Sequence, residues 1–429
     1  MKRRGIETVK SILIILLSVS AVAMILQTAL FQEGLSGYGS LRNAVKVLYS
    51  GTVPAAENME TAAAAVPVQM AATGETGRYA AVRGTDELEA AFTKTSAIFS
   101  EALGSAGEAV PIGSGEWYRA LEKTGIYIAF DSKIPVYVLA KWLSSQCPHT
   151  FAASRYLVCC TDADTVALLY TDGEEYFSCS TSALPRSLDE YIFLFRPNGA
   201  RFGFELAAVS DSYKNVDPCS LTVGGMNEGL YLYSYRGAIS SEQYSSLMEK
   251  LVLNPYAEKG YVDKDGWDVY LLSGGTLKVR SDGQVSYRVT EPGRIDALGL
   301  QPGKDGYLDD TQIIEATRGF TMASAGADCG DADVYLSAYE KDGERITVTY
   351  SFYIDGLLTD IFAARYVYEG SRPVQLELNY KVFLRQNTQT DILQPQFAAA
   401  IYPEGMSGMM RMGYETKSAG ILSACWMIR

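Results

Sequence analysis

Six Asp-Gly pairs punctuate the chain from residue 172 onward: Asp172-Gly173, Asp265-Gly266, Asp282-Gly283, Asp305-Gly306, Asp342-Gly343 and Asp355-Gly356. Such a pair supplies the positive-φ positions of a two-residue hairpin turn. Alternating runs rich in β-branched and aromatic residues flank it, as in "LKVRSDGQVSYRV". Six of them argue for antiparallel sheet joined by tight turns and against a doubly wound parallel sheet.

Helical periodicity lies between the strand runs. "TDELEAAFTKTSAIFSEALG" places Thr85 as an N-cap, with acids in the first turn facing the positive end of the helix dipole. Further helices are predicted around Ser114 to Lys123 and Pro135 to Ser145, after a first strand near Val66 to Ala72. Helix, strand, Asp-Gly turn, strand recurs after "IPVYVLAKWLSS", "SSEQYSSLMEKLVL" and "DDTQIIEATRGF" at unequal spacing, so the units rhyme without forming a solenoid. With 429 residues, 48% hydrophobic content and 29 Tyr, the chain has material for two or three cores.

The N-terminus is the other strong constraint. The twenty residues Ser11 to Leu30 are almost wholly apolar, and as a helix they would cover about 30 Å, the thickness of a bilayer's hydrocarbon core. A small-residue cleavage pattern, Ala21-Val22-Ala23, lies inside the run, because Met24-Ile25-Leu26 carries it on to Phe31. Length therefore favours a retained anchor over a cleaved signal peptide. Lys2, Arg3, Arg4 and Lys10 precede the span and no Lys or Arg lies between Phe31 and Leu41, which places the N-terminus in the cytoplasm and the rest outside. On the helix, Ser20, Ala23 and Gln27 share one face with Leu16 beside them. That stripe suits helix pairing in lipid, although Gln27 near the outer interface would also be satisfied by water.

The reading is thus an α+β chain: a single transmembrane helix, then a multi-lobed extracytoplasmic ectodomain of antiparallel sheets with packed helices. Its expected segments are a basic tail (1–10), the transmembrane helix (11–31), an Ala- and Gly-rich spacer (32–65), and lobes at 66–225, 226–305 and 306–429. Four of the 37 basic and one of the 50 acidic residues fall in the first ten, which leaves 33 against 49, about −16, outside the membrane. Such a surface does not attract nucleic acid or anionic lipid by charge.

No catalytic set emerges from the sequence. His149 is the one histidine, so a Ser-His-Asp or Cys-His arrangement would have to use it. Penicillin-recognising enzymes use Lys instead, and "KTG" at Lys123 and "SDG" at Ser281 bear on them. None of the sixteen Lys has Ser three residues before it, however, and "KTG" comes first where it should come last. The adjacent acids Glu174-Glu175 and Asp309-Asp310 read as turn and helix-start residues. Seven Cys, among them Cys159-Cys160, form no CxxC pair and read as small buried residues, with one incidental disulfide as the alternative. No metal ligands, cofactor or catalytic residue are expected.

The opening "KRRGIETVKSILIILLSVSAVAMIL" resembles the start of the YycH family, in which a short basic stretch runs through a Glu-Ser/Thr-Val-Lys-Ser/Thr-Ile sequence into one transmembrane helix; here these are Glu7, Thr8, Val9, Lys10, Ser11 and Ile12. The strand-turn-strand segments and the Tyr-rich "RYVYEGSRPVQLELNYKVF" are similar in kind. The resemblance implies a non-enzymatic membrane regulator that touches a sensor histidine kinase of a cell-wall two-component system through its transmembrane helix, beside a YycI-like accessory protein. A competing expectation is an exported, tethered binding module for cell-wall glycan or peptide that uses exposed Tyr.

Overall fold

The computed structural model describes residues 64–162, 164–254, 260–272, 274–290, 295, 298, 308–401, 410–418 and 420–428. They belong to one compact unit, Thr61–Arg429. The expected anchor and all of the expected spacer except Ala64 and Ala65, which are buried, lie outside the described residues. Among the described residues, no helix is long and apolar enough to cross a membrane. The fold is α+β, with sheets that are almost entirely antiparallel.

The first sheet contains β1 (Gln69–Gly74), β2 (Gly77–Ala81), β3 (Val110–Ile112), β4 (Gly125–Pro135), β5 (Ala152–Asp162), β6 (Thr165–Thr171) and β7 (Tyr176–Ser180), in the order β2-β1-β4-β5-β6-β7-β3. Helix α1 (Thr85–Gly104) packs on it through Leu88, Ala91, Phe92, Thr95, Ile98, Phe99, Ala102 and Leu103, one face at helical spacing. Thr85 is the first helical residue and is buried, so it does not cap. Gly84 occupies the N-cap at φ 83°, which an L side chain rarely adopts, and donates its N–H to the Asp355 carbonyl at 2.6 Å. The cap is thus decided by a contact with a residue far along the chain. Helices α2 (Ser114–Leu121), α3 (Val136–Trp142), α4 (Pro185–Ile192) and α5 (Gly203–Ala207) complete this part, with a two-stranded pair β8 (Arg201–Phe202) and β9 (Leu221–Thr222).

The second sheet takes β10 (Tyr231–Gly237), β11 (Tyr261–Val262), β12 (Trp267–Leu272), β13 (Gly275–Arg280), β14 (Gln284–Val289), β15 (Asp333–Asp342), β16 (Arg345–Ile354), β17 (Leu357–Glu369), β18 (Arg372–Asn379), β19 (Lys381–Gln389), β20 (Met410–Ser418) and β21 (Ile421–Ile428). Its order is β11-β12-β13-β14-β18-β17-β20-β21-β10-β19, and β16 pairs with both β15 and β17. Five Asp-Gly pairs sit in the hairpins β6–β7, β11–β12, β13–β14, β15–β16 and β16–β17; Asp305-Gly306 lies outside the described residues. Among the described residues, β17 pairs in parallel with β20 at Thr359 opposite Tyr414, and an isolated parallel bridge joins Gly330 to Phe383.

Helix α6 (Ser241–Lys250) starts on a Ser240–Gln243 capping box, and α7 (Asp310–Met322) on Asp309, whose carboxylate accepts from Thr311 N–H at 3.0 Å. Helix α7 covers one face of the large sheet, and α8 (Pro395–Ala400) lies before β20. Many of the tyrosines are buried. Tyr350 and Tyr366 are buried against α7, their hydroxyls bonded to Thr317 at 3.1 Å and Thr321 at 2.7 Å. Each ring therefore buries apolar area while its oxygen finds a partner among the helix's own polar groups.

Candidate ligand groove

One face of the large sheet is filled and the other is polar. Leu277, Val285, Tyr287, Leu376, Tyr366, Val348 and Tyr350 alternate inward. The strand period of two then sends their neighbours to the opposite side. Pairing register lines these neighbours up in rows across β13, β14, β18, β17 and β16. One row runs Lys278, Ser286, Glu377, Arg365, Thr349 and the next Thr276, Arg288, Gln375, Val367, Thr347.

The side chains in these rows are linked. Arg288 Nη2 donates to Gln375 Oε1 at 3.0 Å, Gln375 Nε2 donates to Glu377 Oε1 at 2.9 Å, and Arg365 Nη1 lies 3.6 Å from Glu377 Oε2. The Arg365 guanidinium stands 4.7 Å from the centre of the Phe362 ring, and Arg280 stands 5.0 Å from that of Trp267. Three adjoining hollows of about 690, 610 and 620 Å³ share Arg288 and Gln375 and so form one groove along this face. At its floor Asn379, only 3% exposed, donates Nδ2 to the Phe362 carbonyl at 2.8 Å, while its Oδ1 is buried with no hydrogen-bond partner. The carbonyl can only accept, which fixes which end of the amide meets it.

Two turn aspartates hold the C-terminal end of β13. Arg280 grips Asp282 with two bonds, 2.9 and 2.7 Å, and Lys278 reaches Asp263 at 3.0 Å. The Arg280 bond, with Lys381 nearby, holds the Asp282 carboxyl below the usual carboxylate range. Asp263 is lowered in the same direction, first by the Trp267 backbone N–H.

Where β15 to β17 meet the first sheet, the charges are spent internally. Asp131 of β4 is paired with Arg411 of β20 and accepts from the Tyr353 hydroxyl at 2.6 Å. Arg155 pairs with Asp217 at 2.7 Å and Lys133 with Asp172 at 2.9 Å. All six charged groups line a cavity of about 420 Å³. The three cations are matched to three carboxylates and Glu174 is the one further charged residue in the lining, so this cavity joins the sheets and leaves no cation over for an anionic ligand.

His149 comes to lie beside Tyr170, whose hydroxyl is 3.1 Å from Nδ1, and Cys179, whose Sγ is 3.8 Å from the same nitrogen. Burial pushes the Cys179 thiol up to about 11, so it is protonated at neutral pH and the contact does not make a thiolate nucleophile. The "KTG" lysine, Lys123, donates to the Thr161 carbonyl at 2.8 Å, and Ser281 to Gly283 form the β13–β14 turn. Glu174 and Glu175 occupy the β6–β7 turn, their N–H groups on Asp172 Oδ1, and Asp310 pairs with Lys341 at 2.9 Å. Among the described residues, no group of three or more His, Cys, Asp or Glu is placed to hold a metal ion. Lys2, Arg3, Arg4, Lys10, Leu16, Ser20, Ala23 and Gln27 lie outside the described residues.

The groove residues were not singled out in the sequence, although the signal was there: every second position of "TLKVRSDGQVSYR" and "VQLELN" is polar. Alternation marks a half-buried strand without saying that several such strands will lie side by side.

No family model matches the chain, and no curated protein matches its sequence. Among solved structures, it is similar at 11% identity and a TM-score of 0.11 to the dehydratase domain from the terminal module of the rifamycin polyketide synthase, over 65% of this chain and 95% of that one. A TM-score of that size carries no argument about fold or activity.

Proposed function

We propose that this chain is a single-pass membrane regulator, N-terminus cytoplasmic and α+β part extracytoplasmic, that modulates a membrane sensor histidine kinase of a two-component system without catalysis. The observation that carries this reading is the basic-flanked apolar span at residues 11–31, with the family resemblance of its flank. In this reading Lys2, Arg3, Arg4 and Lys10 set the topology. The face of Leu16, Ser20, Ala23 and Gln27 packs on the kinase's helices, and a YycI-like protein is a further partner. Leucine at both Ser20 and Gln27 in the full chain is expected to reduce co-purification with the kinase and to shift its signalling output. Unchanged capture and output refute the helix-contact mechanism.

A second reading is favoured by the groove: a membrane-tethered module that binds cell-wall glycan or peptide, with the helix as a tether. Replacing residues 11–31 by an unrelated transmembrane helix separates the two. A tether survives the exchange, whereas a signalling helix does not.

A further inference from the structure

We infer that the groove on the large sheet is a binding site for a neutral oligosaccharide chain; the inference rests on the second reading above and selects glycan over peptide. The first ground is charge. The three hollows together are lined by five lysines and arginines and by five aspartates and glutamates, and beside them Arg280 is neutralised by Asp282. An anionic polymer would meet no net positive field there, and a cationic one no net negative field.

The second ground is hydrogen-bond pattern. A sugar hydroxyl donates and accepts at once, and the row alternates guanidinium donors with amide and carboxylate oxygens at neighbouring positions. A ligand of this kind also answers the unpartnered acceptor. Asn379 Oδ1 is buried at the wall of the hollow that Phe362 and Trp267 line, where a hydroxyl donor would satisfy it. An extended peptide adds to a sheet through a strand edge, and the main-chain groups of β14, β18 and β17 are already paired on both sides.

The third ground is shape. Phe362 and Trp267 each stand beside an arginine, so an apolar ring and a polar fork arrive together, which suits the C–H face and the hydroxyl rim of a pyranose. Five strands at about 4.8 Å spacing span about 19 Å, the length of roughly four sugar rings.

The test is titration of the full chain in detergent with chitotetraose and cellotetraose, followed by calorimetry and tryptophan fluorescence. At least one is expected to bind saturably. Phe362→Ala and Gln375→Ala, each checked for an unchanged circular dichroism spectrum and thermal midpoint, are expected to weaken it about tenfold or more. Where Phe362→Ala disturbs folding, the exposed Arg288→Gln supplies the same comparison. Binding that these variants leave unchanged overturns the assignment to the groove. Should neither sugar bind while a muropeptide-type stem peptide does so in a groove-dependent way, the glycan inference falls and the tethered binding-module reading stands. If neither sugar nor peptide binds, both fall.

Discussion

Arg411→Met tests how the two sheets are joined. Arg411 and Asp131 are 10% and 6% exposed, on strands of different sheets, and Tyr353 donates to the same carboxylate at 2.6 Å. Removing the guanidinium leaves a carboxylate out of water with one neutral donor. Breaking a buried pair in this way costs about 3–5 kcal/mol. Replacing the whole set, Asp131→Leu with Arg411→Met and Tyr353→Phe, removes the charge and the orphaned hydroxyl together, and is expected to recover all but about 1–2 kcal/mol of wild-type stability. The assay is urea unfolding of the full chain at pH 7 with tryptophan fluorescence, comparing midpoints at constant slope. Should Arg411→Met alone cost less than about 1 kcal/mol, the pair is hydrated and the account of the junction is wrong. If the triple variant is no better than the single one, the loss came from packing and not from the stranded charge.

Three further outcomes are expected. Gly356 holds φ 72°, and an added Cβ would sit 3.1 Å from the backbone nitrogens of Gly84 and Thr85, so Gly356→Ala should lower stability by about 1–3 kcal/mol; a change within 0.5 kcal/mol in urea unfolding contradicts this contact. Asp282 has a lowered folded pKa because of Arg280, so its contribution is fully present above the unfolded carboxylate value and is lost as pH falls through the folded one. Asp282→Asn should therefore destabilise at pH 7 and converge with wild type in strong acid, and a gap that persists there counts against the linkage. Tyr366→Phe removes one of two partners of the buried Thr321 hydroxyl, which keeps its bond to the Thr317 carbonyl, and should cost about 1 kcal/mol, with the Thr321→Val double variant falling short of additivity; full additivity in the double-mutant cycle refutes the coupling.

Much of the local fold was legible. Five Asp-Gly hairpins, the helices at Ser114, Val136, Ser241 and Asp310, and the antiparallel character all follow from residues within a few positions of one another. The N-cap of α1 was not, because Gly84 owes its place to Asp355 and not to its own neighbours. Which tyrosines face inward was not legible for a related reason. A Tyr in an alternating strand can face either way, and only α7 with its inward Thr317 and Thr321 makes the inside the better side for Tyr350 and Tyr366.

What the sequence by itself determined is whatever sterics settle over short range: where the chain turns, which period each segment carries, and the apolar, basic-flanked character of residues 11–31. Tertiary structure alone decided which strands lie together. It set β14 beside β18, so that Arg288 meets Gln375, and Glu377 opposite Arg365, and it brought His149 to Cys179. Every half-buried strand alternates alike, so alternation cannot name a partner. The partner is chosen when the filled faces close over a common core, and the polar face left outside, groove included, is a by-product of that closure.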